Sequence, residues 1–157
     1  MIRIAVIACI TVCMVTFAFA ARRGPVTPSA RDKCPVCGMF VKKYPVWTGQ
    51  IIFKDGTYAI FDGAKDLFKY CLGLNKYNPS HTQADIDAIY VIDYYRVDLI
   101  DAYSAHYVVG SDVYGPMGRE LIPFAKADDA HEFMKDHQGK AILRFRDVTP
   151  ELLKGLD

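Results

Sequence analysis

The order of the predicted secondary-structure elements repeats along the chain, and this repeat constrains the fold more than any other pattern in the sequence. Alternating apolar residues predict strands and a 3.6-residue period predicts helices, in the order strand, strand, helix, strand. The first set covers residues 46–53, 58–61, 64–72 and 88–97, and the second covers residues 99–109, 120–124, 128–138 and 141–145. In the first set, Asp55-Gly56 predicts the hairpin turn between the two strands, and Asp62 can cap the helix. Aligning the sets pairs identical residues: Phe61 with Phe124, Ala64 with Ala127 and Asp66 with Asp129. We therefore predict an α+β fold of two related β-β-α-β halves, residues 34–97 and 98–157.

The first 20 residues have the pattern of an export segment. Arg3 gives a short basic start, residues 4–20 are apolar apart from threonines, and the last three resemble a cleavage site. The segment is either a cleaved signal peptide or a retained membrane anchor, because its length is just enough to span a bilayer. Lipidation is a third route, although Cys13 follows Val12 and not a small residue. All three routes predict a periplasmic body, joined through residues 21–33, which contain two prolines and read as a flexible tether.

Charge and cysteine content exclude several classes of protein. Arg3 is the one charged residue of the export segment, so the rest of the chain has equal numbers of basic and acidic residues. This balance excludes nucleic-acid binding by bulk charge and a polybasic membrane surface. The same part of the chain keeps Cys34, Cys37 and Cys71, and an odd number excludes a fully paired disulfide framework. Cys71 lies on the apolar face of the first predicted helix, where we expect a buried core thiol.

The sharpest chemical pattern is Cys34-Pro35-Val36-Cys37-Gly38-Met39. Two thiols separated by two residues can bind one soft metal ion, and Gly38 permits a turn that brings Met39 to the same point. Thiolate and thioether donors favour Cu(I) over Mg²⁺, Ca²⁺ or Mn²⁺. A structural zinc site would need further Cys or His ligands, and c-type haem attachment would need His in place of Gly38. The spacing also fits a redox-active pair or a static disulfide, so the residues alone leave three alternatives open.

Met117 and His106 are the other candidate ligands. Met117 lies in Gly115-Pro116-Met117-Gly118, a loop pattern and not an apolar stripe. It is therefore either a thioether ligand from the second half or a hydrophobic plug for the loop. His106 precedes this loop by one predicted element and is either a ligand or an ordinary strand histidine. Glycine-rich phosphate loops, His-Glu-x-x-His and Gly-x-Ser-x-Gly are absent from the sequence, which argues against an enzyme.

These motifs together resemble the NosL family of accessory proteins of nitrous oxide reductase. The resemblance runs from about Cys34 to Val148 and rests on these matches: Cys34-Pro35-Val36-Cys37-Gly38-Met39, Tyr44-Pro45, Trp47, Gln50-Ile51, Phe61-Asp62-Gly63, Ile100-Asp101-Ala102, Tyr107-Val108-Val109-Gly110-Ser111 and Gly115-Pro116-Met117-Gly118. It implies a protein that is not an enzyme, that binds one Cu(I) and that folds as two β-β-α-β halves. The family is thought to deliver this ion for assembly of the copper-sulfide centre of nitrous oxide reductase, together with a membrane ABC transporter.

The resemblance also implies the ligands. The family's copper cysteine maps onto Cys37, with Met39 after it, and the family's loop methionine maps onto Met117. Cys34 is the extra thiol of a Cys-x-x-Cys-Gly-Met branch, and His106 is the position to test as a further ligand. Family members are commonly lipoproteins, and the N-terminus of this chain departs from that pattern. The first hypothesis is thus a Cu(I) carrier for nitrous oxide reductase or another exported copper enzyme. The alternatives are a thiol-disulfide redox protein and a structural module with a static disulfide.

Overall fold

Two antiparallel sheets and the helices packed on them make up the computed structural model, which describes residues 22–157. The strands are β1 (Gly49–Phe53), β2 (Tyr58–Phe61), β3 (Ile86–Ile92), β4 (Leu99–Asp101), β5 (His106–Gly115), β6 (Gly118–Phe124) and β7 (Ala141–Arg144). The helices are α1 (Ala64–Leu72), α2 (Leu74–Tyr77), α3 (Ala127–Asp136) and α4 (Pro150–Lys154). The export segment predicted over residues 1–20 lies outside the described residues. Within 22–157, none of the helices has both the length and the apolar character that crossing a membrane requires.

Each sheet is built on one β-β-α-β half. The strand order is β2-β1-β3-β4 in the first sheet and β6-β5-β7 in the second, so the first strand of each half is flanked by the other two. Phe61 and Phe124 end β2 and β6, and Ala64 and Ala127 begin α1 and α3, as the alignment of the two halves predicts. The predicted α+β fold of two related halves is confirmed.

The boundary between the halves lies later than the predicted residue 98. β4 pairs with β3 and so belongs to the first sheet. The chain reverses between these strands because Asp93 Oδ1 accepts the N–H of Tyr95, and Val97 adopts a φ of 59°. The prediction of continuous strands over 88–97 and 99–109 is therefore wrong, since the first contains this turn and the second divides into β4 and β5.

β1 also begins later than predicted, at Gly49, because Pro45–Trp47 form a turn of 3₁₀ helix.

Residues 22–33 bind along the first sheet, so the prediction of a flexible tether is wrong for this segment. The N–H of Val26 donates to Gln50 Oε1 at 2.9 Å, and Gln50 Nε2 donates back to the Val26 carbonyl at 2.8 Å. The hydroxyl of Tyr90 donates to the Arg23 carbonyl at 2.7 Å. Within the described part of the chain, the buried amide of Gln50 has its hydrogen bonds with this segment alone. The segment that contains the two prolines is therefore bound to the first sheet.

Helix α1 packs between the two sheets at the centre of the main core. Leu67 and Phe68 are fully buried. On one side, a Cβ added at Gly49 of β1 would approach Leu67 Cδ1 to 2.7 Å, so helix and strand are in close contact. On the other side, the Phe68 ring meets Tyr107 of β5 edge to face, with centroids 5.1 Å apart. Each buried side chain of this kind contributes about 1.5–3 kcal/mol, which fixes α1 relative to both halves.

Helix α3 covers the opposite face of the second sheet. Its Ala130 and Phe133 pack against Val108, Ile122 and Phe124. Because side chains alternate along a strand, Tyr107 faces α1 while Val108 faces α3. The second sheet therefore separates two apolar clusters.

The first turn of α1 is bound by a carboxylate from the second half. Glu120 Oε1 accepts the backbone N–H of Lys65, and also that of Leu121 at 3.0 Å. Burial raises the pKa of Glu120 to about 8. Gly63, directly before the helix, has an extended backbone, and a Cβ there would collide with Glu120 Oε2. The absence of a side chain at this position lets the two halves meet.

We expect Gly63→Ala to lower the free energy of unfolding by about 1–3 kcal/mol, because the added methyl displaces a buried, hydrogen-bonded carboxylate. Gly24→Ala is the matched control, since a Cβ at Gly24 has nothing within 4 Å. Urea unfolding followed by circular dichroism measures both variants. Equal stabilities for the two variants would contradict this account of the contact between the halves.

Candidate metal centre

The Cys34–Met39 segment forms a tight loop that backbone hydrogen bonds hold closed. The N–H of Cys34 donates to the Met39 carbonyl at 2.9 Å, and the N–H of Gly38 donates to the Cys34 carbonyl at 2.8 Å. Gly38 has a φ of +80°, which a residue with a side chain rarely adopts. A β-bridge between Lys33 and Phe40 closes the loop. The turn predicted at Gly38 is thus present and presents both thiols on one side.

Each thiol of the loop donates a hydrogen bond to a carboxylate at the start of α1. Cys37 Sγ lies 3.2 Å from Asp62 Oδ1, and Cys34 Sγ lies 3.3 Å from Asp66 Oδ2. Asp62 follows β2 directly and Asp66 lies in the first turn of α1. The packing of α1 between the sheets therefore also sets the position of both carboxylates.

The four side chains form one cluster of metal-binding geometry. One ligand atom from each of Cys34, Cys37, Asp62 and Asp66 lies within 4.8 Å of the others. Both carboxylates are buried, at 1% and 3% exposure, and Asp62 Oδ2 is buried with no hydrogen-bond partner among residues 22–157. A buried carboxylate oxygen without a partner is costly unless a cation compensates it. The four side chains thus form a site that can accommodate a cation.

Both thiols are held in the protonated form by their surroundings. Burial, opposed by the N–H of Met39, raises the pKa of Cys37 to about 11. Burial also raises the pKa of Cys34 far above its ordinary value, against the N–H groups of Cys37 and Val36. All three cysteines of the described chain are free thiols. Because a metal ion must displace the thiol protons, the affinity of this site for metal rises with pH.

Met39 and Met117, the other two predicted ligands, come from different halves of the molecule. Met39 is half-buried and is hydrogen-bonded to Cys34 through its carbonyl. Met117 lies at the tip of the β5–β6 hairpin with 43% of its surface exposed. Its carbonyl accepts a hydrogen bond of 2.8 Å from Lys65 Nζ, and Lys65 lies in α1 directly before Asp66. The structure thus brings the backbone of the Met117 loop to the helix turn that carries the carboxylates.

His106 and Cys71 lie outside this cluster. His106 Nε2 is 2.6 Å from an Arg144 guanidinium nitrogen, and burial together with that guanidinium lowers the pKa of the imidazole. Like Val108, His106 faces the α3 side of the second sheet, away from the core that contains Cys34. Cys71 is buried in α1 and donates to Gln83 Oε1 at 3.7 Å, in accord with the predicted core thiol.

Asp62 and Asp66 are the site residues that the sequence reading missed. The sequence suggests that Asp62 caps α1, because a carboxylate before a helix usually accepts N–H bonds of the first turn. In the structure Gly63 is the capping residue, and Asp62 accepts the Cys37 thiol. One sequence signal could have indicated these residues. Asp62 and Asp66 are acidic residues four apart, which follow a buried strand and begin a helix with an apolar face.

We expect the described thiols to react slowly with iodoacetamide at pH 7, because only the thiolate reacts and burial raises each thiol pKa. Half-exposed Cys37 should be modified first, at a rate that rises about tenfold per pH unit up to its pKa. Peptide mass spectrometry distinguishes Cys37 from Cys34 and Cys71. Modification of Cys34 before Cys37, or fast labelling at neutral pH, would contradict the assigned environments.

Comparison with known proteins identifies the family of this chain. A family profile described as NosL matches residues 25–153. The chain is 34% identical over 139 residues to the "Copper-binding lipoprotein NosL" of Stutzerimonas stutzeri, covering 83% of this chain and 68% of that protein. The crystal structure of the copper chaperone NosL from Shewanella denitrificans superposes with a TM-score of 0.71 at 25% identity, covering 83% of this chain and 99% of that one. The chain belongs to the NosL family.

Proposed function

We propose that this protein is a periplasmic, non-catalytic Cu(I) metallochaperone. The observation that carries the proposal is the cluster of two free thiols and two buried carboxylates, one oxygen of which has no partner. The relatives' names support copper as the ion, since one is a copper-binding lipoprotein and the other a copper chaperone. The proposed ligands are Cys34, Cys37, Met39 and Met117.

The soft donors select the metal and its oxidation state in this proposal. Thiolates and thioethers prefer Cu(I) to harder ions such as Mg²⁺ or Ca²⁺. Asp62 and Asp66 accept hydrogen bonds from the thiols and place negative charge beside the ion. Sulfur would provide the ligands, and the carboxylates would stabilise the cation electrostatically.

The raised thiol pKa values argue against the thiol-disulfide alternative. Redox-active Cys-x-x-Cys pairs work through a thiolate that the surroundings stabilise. Here burial raises the pKa of Cys37 to about 11 and that of Cys34 further. The surroundings disfavour an attacking thiolate, whereas a metal ion can replace the protons directly.

The proposed recipient is nitrous oxide reductase, reached together with a membrane ABC transporter. Membership of the NosL family supports this recipient. The lipoprotein relative supports an exported protein that is tethered to a membrane. Exposed Met117 gives a partner access to one ligand of the bound ion.

We expect one Cu(I) per chain, with binding lost in Cys37→Ser and weakened about tenfold in Met117→Ala, a loss of about 1.4 kcal/mol. Anaerobic competition with a chromophoric Cu(I) chelator measures affinity, and X-ray absorption counts sulfur neighbours. Cys71→Ser and Met134→Ala are the matched controls, because Cys71 donates to Gln83 and Met134 packs against the apolar cluster of α3 and the second sheet. Wild-type affinity in both Cys37→Ser and Met117→Ala would overturn the proposed site.

We expect this chain to restore the copper-sulfide centre of nitrous oxide reductase in a host that lacks its own NosL. The centre's absorption spectrum and the copper content of the purified reductase are the readouts. The host's own NosL is the positive control, and Cys37→Ser of this chain is the negative one. A fully copper-loaded reductase in the Cys37→Ser strain would count against delivery by this protein.

A further inference from the structure

Lys65 is a buried lysine that lies between Asp62 and Asp66 in sequence. Its side chain is 2% exposed, and lysines are rarely buried without partners. The ammonium donates to the Met117 carbonyl at 2.8 Å and to the Leu156 carbonyl at 3.2 Å, and lies 3.7 Å from Asp157 Oδ1. Its hydrogen bonds therefore reach to the hairpin tip and the C-terminus, and not to Asp62 or Asp66.

We propose that Lys65 is a positioning residue for copper binding: it binds the tip of the β5–β6 hairpin so that the Met117 thioether faces the two thiols. The inference rests on the proposed function, since it takes Met117 as a copper ligand. It adds a residue that contacts no metal and acts through the backbone of one that does.

The hairpin tip needs such a contact because the sheet alone does not fix it. The pairing of β5 with β6 shifts register between Val109 and Tyr114, which separates the outer part of the hairpin from the regular ladder. At the tip, Pro116 has no N–H to donate and Gly118 adopts a φ of +84°. The side chain of Met117 is exposed. Little within the hairpin therefore determines where its tip lies.

Lys65 binds the hairpin at two points. Its backbone N–H donates to Glu120 Oε1, and its ammonium donates to the Met117 carbonyl. Glu120 and Met117 are three residues apart on the same hairpin, so the two bonds fix both the distance and the direction of the tip relative to α1. Since Asp66 directly follows Lys65, the same helix turn positions the carboxylates and the thioether loop.

The direction in which Cu(I) affinity changes when Lys65 is replaced distinguishes a positioning role from a purely electrostatic one. A positive charge beside a cation site repels the ion, so removal of the Lys65 charge would by Coulomb's law strengthen Cu(I) binding. Loss of positioning would weaken it. Lys65→Met keeps the aliphatic stem and removes the ammonium, so it tests the two effects against each other.

The test compares Cu(I) affinity in the full chain for Lys65→Met, Met117→Ala and the double variant. We expect Lys65→Met to weaken binding about tenfold, the scale of one charged hydrogen bond, with one sulfur neighbour fewer by X-ray absorption. In the Met117→Ala background, Lys65→Met should have no further weakening effect. Lys69→Met is the matched control for loss of charge, because Lys69 also pairs with Asp157 and lies 4.0 Å from Asp66 Oδ1 but makes no bond to the Met117 carbonyl in the described chain.

Wild-type affinity in Lys65→Met, or an equal loss in both backgrounds, would overturn the proposal. If Lys65→Met fails to fold by circular dichroism, Lys65→Leu replaces it under the same criteria, because leucine also removes the ammonium and its hydrogen bond to the Met117 carbonyl. Failure of the proposed function gives a different result: wild-type protein that does not bind Cu(I), or Met117→Ala that binds as tightly as wild type.

Discussion

The hydrogen bonds between the loop thiols and the carboxylates at the start of α1 are the contacts on which the site depends. They join a loop near the N-terminus to a helix that is packed between both sheets. The carboxylates tolerate burial because the thiols donate to them, yet Asp62 Oδ2 remains without a partner. Because the two carboxylates are buried beside neutral thiols, the site favours binding of a cation and disfavours deprotonation of a thiol without one. Folding therefore brings the two thiols and the two carboxylates together without a metal ion.

The two halves share a scaffold but not a function. By the alignment of Phe61 with Phe124, the positions of Asp62 and Lys65 correspond to Ala125 and Asp128. The second half therefore has neither the acidic residue that accepts a loop thiol nor the lysine that binds the opposite hairpin. It contributes instead the hairpin with Met117 and the carboxylate of Glu120. The repeat explains the fold, whereas the differences between its copies explain the site.

The parts of the fold that local pattern determines were predictable from the sequence. The apolar period along α1 and the Asp55-Gly56 turn depend on neighbouring residues, and both gave the correct elements. The turn at Asp93 was missed because its carboxylate binds backbone N–H groups within a run of strand-forming residues. Asp62 was read as a helix cap because its thiol partner comes from a loop 25 residues away in sequence. Contacts of that range carry no local signal, so the thiols and Met117 could be proposed but the carboxylates could not.

If the proposed ligands hold copper, their unequal exposure would give copper exchange a direction. Cys34 is 1% exposed, Cys37 is half-buried, and Met117 is 43% exposed at a hairpin tip. A thioether is neutral, so its replacement by a partner's ligand leaves no uncompensated charge behind, whereas displacement of a thiolate leaves an anion in a buried, acidic site. Exchange that starts at Met117 and ends at Cys34 therefore avoids the costliest intermediate, because the ion keeps its buried thiolate until another ligand is bound. Under the proposed function, a transfer partner would approach from the hairpin side, over the second half of the molecule.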